Sequence, residues 1–555
     1  MSFKKDLSKY KPRKEQREAI EFIDNEYKSN PLNKFFLLNL PVGVGKSHLA
    51  LMIADWYRKN VDRTAKIDVI TNSKILQDQY SNTYESITDL KGKENYECES
   101  YSCSCAQGGE FNRLNKTTCE SCPYSSAREG YMGGGISLTN FYLYILYSIY
   151  NPKIRESRGP KVLIVDEAHD FDDVMSDFIS IKITESIIKK FRFSNENDIL
   201  KRLKSISSIS QYVSFLSFLE SEILSTIESM ENGMSSQPRN IRQDKRDLKI
   251  SKILKSKNSD VKLMQLVTDL RQYQLKIEVF LKEYKENPNN WVLETSFSDR
   301  LKQRELSLEP IWAYDYLDKY VFSHYDMVFL MSGTILNKSL FCQLNGLDVS
   351  KAVYYSIGSP FNVKNRPIFY MPLGKMSFKQ KEETFERYIP YIKKLLDKYK
   401  GKKGIIHTNS FELAKWIEDK IKDPRLVFHD STNKDEILKM HKESNEPTVI
   451  VSPSMDTGVS FDNDDARFQI IAKVPYPSLA SQKNKLRQKN NPDWYSWKTV
   501  SGLIQMSGRP VRSSLDYADT IIIDGCFGDV IKHSSHFIPD WIQLAIKRIN
   551  VKIEA

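Results

Sequence analysis

Nowhere does this chain of 555 residues offer a run long and apolar enough to cross a bilayer. The longest apolar stretch, Phe141 to Tyr150, is short and rich in tyrosine, and the opening Met1-Ser2-Phe3-Lys4-Lys5-Asp6 lacks the apolar core of a secretory leader. The expectation is therefore a cytoplasmic protein with no membrane partner. Cysteine is scarce outside one stretch: of seven, only Cys342 and Cys526 stand alone, and they read as buried thiols. A strong excess of either charge is also missing. With 82 Lys and Arg against 71 Asp and Glu, the net charge of +11 permits a polyanionic partner without demanding one. The remaining composition, 28% charged and 40% hydrophobic, is that of an ordinary globular chain with length for about three to five domains.

What is present is organised around Leu40-Pro41-Val42-Gly43-Val44-Gly45-Lys46-Ser47. The apolar run Phe35-Phe36-Leu37-Leu38 leads in, and His48 to Trp56 follows with the length and apolar content of a helix. Strand, glycine loop and helix make an anion site, because glycine lets the backbone curl until its N–H groups converge on a phosphate. Lys46 then reaches the β/γ-phosphates of a nucleotide and Ser47 is a Mg²⁺ ligand. The first glycine of the strict phosphate-loop pattern is absent, since Leu40 stands there.

A second strand, Ile67-Asp68-Val69-Ile70, ends in Thr71-Asn72-Ser73 before a helix carrying Gln77 and Gln79. These side chains suit either a nucleic-acid phosphate or a helix cap. A third, Lys161 to Val165, delivers Asp166-Glu167-Ala168-His169. Two carboxylates at the end of an apolar strand face the phosphate loop if the two strands are parallel neighbours. Asp166 can then hold Mg²⁺, usually through water, and Glu167 can orient and deprotonate the attacking water. Between these strands lie Cys98, Cys103, Cys105, Cys119 and Cys122. In a reducing compartment such clustering points to metal ligation, and spacing alone leaves zinc and an iron–sulfur cluster open.

From about Phe171 the pattern becomes helical: Ile199, Leu200, Leu203 and Ile206, then Phe215 to Ile227, and after a polar stretch from Glu231 to Arg246, Val261 to Leu281. This reads as an α-helical insertion. Strands resume with Asp326 to Met331, which delivers Ser332-Gly333-Thr334. Gly404-Ile406, Leu426-Phe428, Thr448-Val451, Gln469-Ile471 and Thr520-Ile523 follow, a second parallel sheet. Its late loops carry Asp456 to Phe461 and Gln505 to Arg512. Arg509 and Arg512, three apart, are expected on one helical face, with both guanidinium groups directed at a transferring phosphoryl group.

In this order, Arg13 with Gln16, the glycine loop, Thr71 with Gln77 and Gln79, Leu90 to Tyr96 before a cysteine, Cys122-Pro123-Tyr124, Asp166 to His169, Ser332 to Thr334, Gly458 and Gln505 to Arg512 resemble the iron–sulfur helicases of superfamily two, the XPD and DinG type. The resemblance implies an α/β chain of two RecA-like motor domains, with an iron–sulfur insertion and a helical arch in the first. It implies boundaries of 1–88, 131–172 and 296–336 for motor domain 1, 89–130 for the iron–sulfur domain, 173–295 for the arch and 337–555 for motor domain 2. It further implies ATP hydrolysis and unwinding of DNA with 5′→3′ polarity by a monomer on single-stranded, tailed or forked DNA.

By the same resemblance Arg13, Gln16, Gly43, Val44, Gly45, Lys46, Ser47, His169, Gly458, Arg509 and Arg512 bind ATP, while Lys46, Asp166, Glu167, Gln505, Arg509 and Arg512 serve catalysis. Ser47 and Asp166 hold Mg²⁺. Cys98, Cys105, Cys119 and Cys122 hold a [4Fe–4S] cluster, with Cys103 the alternative to Cys105. The chain departs from the family at Leu40 and Val42, and at Thr457 and Ser460, where glutamate and aspartate are usual. No exonuclease domain precedes Arg13, so no nuclease activity is expected. Two other classes are consistent with these residues: a translocase that leaves strands paired, and a non-catalytic DNA-binding protein with a degenerate ATP site.

Overall fold

The structure, a computed structural model, describes residues 11–550 except 86, 102, 116–118, 120, 236–249, 299–302, 431, 456–460, 462 and 514; within helices, the side chains of 111, 113–115, 232–235, 250–262 and 264 are also left aside. Gly458, Thr457 and Ser460 thus lie outside the described residues, as does most of the polar stretch from Glu231 to Arg246.

Two parallel sheets of seven strands form the body. The first begins with β1 (Phe35–Asn39), β2 (Ile67–Thr71) and β3 (Thr88–Asp89). A small antiparallel pair, β4 (Glu97–Cys98) and β5 (Cys103–Ser104), then carries the first cysteines, and β6 (Ile136–Asn140) and β7 (Val162–Asp166) return to the sheet. The next three strands, β8 (Ile181–Thr184), β9 (Trp291–Ser298) and β10 (Gln303–Pro310), make a separate antiparallel sheet. With β11 (Met327–Ser332) and β12 (Ala352–Ser356) the first sheet is complete, in the order β12-β1-β11-β7-β2-β6-β3. The second sheet contains β13 (Ile368–Gly374), β14 (Gly404–His407), β15 (Leu426–Phe428), β16 (Val449–Ser452), β17 (Phe468–Ile471), β18 (Asp519–Asp524) and β19 (Ile546–Arg548), ordered β15-β16-β14-β17-β18-β13-β19.

β1, β2, β6, β7 and β11 are buried on both faces. Helices cover the sheet on either side, which is why these strands read as unbroken apolar runs. Phe36 and Leu38 face one core, with Leu49, Ile53 and Trp56 of the Lys46–Asn60 helix. Phe35 and Leu37 face the other, which continues into the insertion and takes in Trp494, Trp497, Val500 and Ile504 from the second domain. Among the described residues no helix is long and apolar enough to cross a membrane.

Three boundaries differ from the sequence reading. β12 pairs with β1, and Asn39 ties the strand ends together, donating to Ser356 Oγ (3.0 Å) and accepting from the Ile335 N–H (3.0 Å), so the first domain runs past 337 to Ser356. The insertion after residue 173 is not wholly helical. Its helices Glu185–Phe191, Glu196–Ser205, Ile209–Ser235 and Ile250–Glu286 pack with the β8-β10-β9 sheet, which extends it to Pro310. The cysteine insertion also reaches beyond 130, because the Pro123–Gly133 helix continues until Gly134 ends it.

Candidate functional site

Gly43 (φ 94°) and Gly45 (φ 84°) both take the left-handed conformation that curls the phosphate loop, and a side chain at either would be strained. The loop is braced from behind. Gln16 Nε2 donates to the carbonyls of Val44 (3.0 Å) and Gly45 (3.1 Å), its Oε1 accepts from the Arg13 N–H (2.9 Å), and the Arg13 guanidinium donates to the Gly43 carbonyl. Both amide ends of Gln16 are thus used on the chain itself, which makes it a support of the loop.

β7 runs parallel to β1 but is not its hydrogen-bonded neighbour. β11 lies between them, so Ser332-Gly333-Thr334 stands between the loop and the acidic tetrapeptide. The side chains still meet: Lys46 Nζ is 3.0 Å from Glu167 Oε1. Glu167 itself sits at φ 58°, a conformation rare for a residue with a side chain. Asp166 is buried, its Oδ1 accepting from the Glu167 N–H (3.0 Å) and its Oδ2 from the Tyr80 hydroxyl (2.8 Å). Tyr80 also meets Ser47, linking the two expected Mg²⁺ ligands. His169 Nδ1 lies 2.9 Å from Ser332 Oγ and 3.4 Å from Glu167 Oε2.

The two carboxyls titrate apart. Burial and the adjacent Glu167 charge push Asp166 up. For Glu167, burial acts upward but is outweighed by the charges of Lys46, His169 and Arg509, which hold it below the usual carboxylate range. That coupling brings the second domain to the site. Gln505 Nε2 donates to Thr334 Oγ1 (3.3 Å), Arg509 Nη2 is 3.5 Å from Gln505 Oε1, and Trp497 Nε1 donates to the carbonyls of Thr334 (3.2 Å) and Ile335 (3.1 Å).

Arg509 and Arg512 do not share a helical face. The helix Pro492–Ser507 ends at Gly508, and both arginines lie in the following loop, where Pro510 prevents its continuation. Arg509 is buried beside Glu167, whereas Arg512 is half-buried and its backbone N–H donates to Asp516 Oδ2 (3.2 Å). Of the earlier strand-end residues, Ser73 caps its helix and Gln77 is buried, donating to the Leu90 carbonyl (2.9 Å).

One participant carries no sequence motif. Phe361, which enters from the start of the second domain, lays its ring on Gly43 so closely that there is no room for a Cβ at that position. It packs against Val511 in the arginine loop. Pro41, Val42, Lys46, Phe361, Gln505 and Gly508 bound the cleft between the two domains. Lone aromatics are too common in a chain with 27 phenylalanines for this one to be singled out in advance.

The cysteines gather from three short segments. Cys98 and Cys103 face each other across the β4–β5 pair, Cys105 Sγ is 3.7 Å from Cys122 Sγ, and Asn112 donates to Cys119 Sγ (2.7 Å). Burial and neighbouring thiols push Cys103 up to about 11 and Cys105 up to about 12. Burial raises Cys122 too, but hydrogen bonds from Ser125 at the start of the Pro123–Gly133 helix bring it below its ordinary value. Among the described residues, no group of three or more His, Cys, Asp or Glu side chains is placed to hold a metal ion.

Fold, cleft and sequence agree on a class. Residues 392–544 match the helicase C-terminal domain family, and residues 9–195 match the family described as type III restriction enzyme, res subunit. The fold is also that of solved XPD structures. One titled XPD helicase shares 14% identity with a TM-score of 0.60, one titled XPD apo shares 16% with 0.57, and Xpd4 of S. tokodaii shares 14% with 0.57. Each pairing covers 97% of this chain and 100% of the other. The two parallel-sheet domains are therefore RecA-like, and the second carries the match to a helicase C-terminal domain.

Proposed function

We propose that the chain is an ATP-driven DNA helicase that grips single-stranded DNA, acts on tailed or forked duplexes, moves 5′→3′ and works as a monomer. The observation that carries this reading is the convergence of Lys46 and Glu167 from the first domain with Gln505 and Arg509 from the second across one cleft. A nucleotide held there senses, and reports, the separation of the two domains. Lys46, now paired with Glu167, is the cation for which the β/γ-phosphates compete. Glu167, kept ionised by its surroundings, orients and deprotonates the attacking water, and Arg509 neutralises charge on the transferring phosphoryl. The Ser47 hydroxyl and Asp166 carboxylate form an oxygen donor set suited to Mg²⁺, which supplies charge neutralisation at the phosphates. Both Asp166 oxygens already accept hydrogen bonds, which favours contact through water.

The thiols suit an iron–sulfur cluster, with Cys98, Cys105, Cys119 and Cys122 as ligands and Cys103 as the alternative. The thiols are soft donors gathered in one small insertion, with Cys98 and Cys103, Cys105 and Cys122, and Cys119 and Cys122 in pairwise contact. The group's contribution is to hold a small domain together. The boundaries 89–130 and 173–295, adjusted as above, are our assignment for the iron–sulfur and arch domains.

ATP turnover with and without single-stranded DNA, with strand displacement on 5′-tailed and 3′-tailed duplexes, tests this reading. DNA-stimulated turnover and displacement confined to the 5′-tailed duplex are expected. Stimulated turnover without displacement means a translocase, and absence of turnover overturns the reading.

A further inference from the structure

The chain leaving the catalytic tetrapeptide runs directly into a second contact with the other motor domain. After Glu167 comes the short turn Ala168–Asp170 and then the helix Phe171–Ile179, whose first turn carries Asp172 and Asp173. Arg487, from the helix Gln482–Asn490 of the second domain, reaches Asp172 Oδ2 at 3.2 Å and Asp173 Oδ1 at 3.6 Å with a side chain only 1% exposed. It lies over the rings of Trp312 (5.0 Å) and Trp494 (5.3 Å), one from each side of the boundary, and donates to the Ile311 carbonyl. Lys498, on the helix Pro492–Ser507, meets Asp173 Oδ2 at 2.6 Å. Lys483 donates to Ser176 Oγ and lies 3.5 Å from Glu309.

The other ends of these elements are in the nucleotide site. Asp170 receives a hydrogen bond from Asn72 Nδ2 (2.9 Å) and lies 3.3 Å from His169 Nε2, so the acidic turn is fixed to Glu167's own neighbours. Lys498 and Gln505 stand two turns apart on one helix, about 10 Å at ~1.5 Å per residue, and Arg509 follows just after its end. A packed helix transmits displacement as a rod. Wherever the acidic turn seats Lys498, Gln505 and Arg509 are seated too.

We propose that Asp172 and Asp173, engaged with Arg487 and Lys498, form an interdomain latch that registers the Pro492–Ser507 helix and thereby positions Gln505 and Arg509 for hydrolysis. This rests on the ATPase reading above. The cluster's form fits registration better than stabilisation. Buried ion pairs gain little net free energy over apolar packing, but they tolerate few alternative alignments. Here Asp172 Oδ1 and Arg487 Nη2 are buried without a hydrogen-bond partner, so the arrangement is set by alignment of charges and not by complete hydrogen bonding. The latch residues are positioning residues, since they touch no reacting atom.

Arg487 is too deeply buried for a clean substitution, whereas Lys498 and Asp173 are 28% and 43% exposed. The test uses the full chain carrying Lys498→Glu, Lys498→Arg, or Lys498→Glu with Asp173→Asn. Lys498→Glu sets like charges together and is expected to lower kcat about tenfold with saturating DNA while KM for ATP changes less than about twofold, because the phosphate loop is untouched. Lys498→Arg keeps kcat, and adding Asp173→Asn to Lys498→Glu recovers most of the loss. Hydrogen exchange in the Pro492–Ser507 helix, measured without nucleotide, should rise in Lys498→Glu and fall back in the double variant. Unchanged kcat and exchange in Lys498→Glu overturn the latch, as does a loss of kcat that Asp173→Asn leaves unrelieved. If the unaltered chain does not hydrolyse ATP, the ATPase reading fails, and the exchange measurement decides the latch by itself.

Discussion

Glu167 concentrates the chemistry of the site in one residue. Its backbone occupies a conformation that costs about 1–3 kcal/mol, and Lys46 and Arg509 help hold its carboxylate charged against the pull of burial. Glu167→Gln keeps the shape while removing charge and basicity. Single-turnover hydrolysis should fall about 100-fold or more, with ATP affinity retained because Lys46 is released from its present partner. A histidine in the second domain sets a pH limit of a different kind. His441 is buried, its Nε2 donating to the Asp465 carbonyl (2.8 Å) and its Nδ1 accepting from Thr448 (2.8 Å), and burial lowers its pKa from the ordinary 6.5. The folded state resists a proton that the unfolded chain accepts, so the contribution is intact above pH 6.5 and is lost as pH falls below it. The melting temperature should decline on acidification through this window, and His441→Gln, which keeps both hydrogen-bonding roles, should flatten that decline.

At the level of elements, the parts with strong local chemistry were legible in the sequence. The glycine loop needs its positive φ angles, and the apolar strands at 35–38, 67–70, 161–165 and 326–331 are apolar because helices cover both faces of their sheet. What escaped was set by partners distant in the chain. No feature of Met327–Ser332 announces that it inserts between β1 and β7, and Ala352–Ser356 belongs to the first sheet only because Asn39 and β1 receive it. β8, four residues long, is visible as a strand only once β10 pairs with it. Arg509 and Arg512 kept a helical spacing after the helix had ended at Gly508. The cysteine insertion gives an element-scale prediction. Its core is Leu90, Cys105, Tyr124, Tyr131 and Leu143, too small to hold the segment without added ligation. Cys119→Ser should abolish bound iron and acid-labile sulfide and impair strand displacement, while ATP turnover, with residues elsewhere, is largely retained. Elemental analysis of anaerobically purified protein checks the first part and parallel ATPase and unwinding assays the second.

Across the whole molecule, the proposed translocation along any sequence requires a grip on the backbone of the nucleic acid. With a net charge of +11, affinity for single-stranded DNA should fall about tenfold or more between ~50 and ~200 mM salt and vary little with base composition, as titrations of labelled oligonucleotides can measure. Contacts between the two domains include the Gln505–Thr334 hydrogen bond, the Trp497 indole on the Thr334 and Ile335 carbonyls, and the ionic cluster around Arg487. Closure is therefore the resting geometry described here, and the ring of Phe361 seated on Gly43 is part of it. This has a kinetic meaning. The ring covers Gly43 of the loop whose N–H groups would receive the phosphates, so it is expected to move before nucleotide arrives. Observed association should then level off at high ATP concentration, at the rate of domain parting. The apparent dissociation constant becomes the intrinsic one divided by the fraction of molecules already open. Anything that props the domains apart, a DNA strand lying across both included, would tighten nucleotide binding without touching the nucleotide.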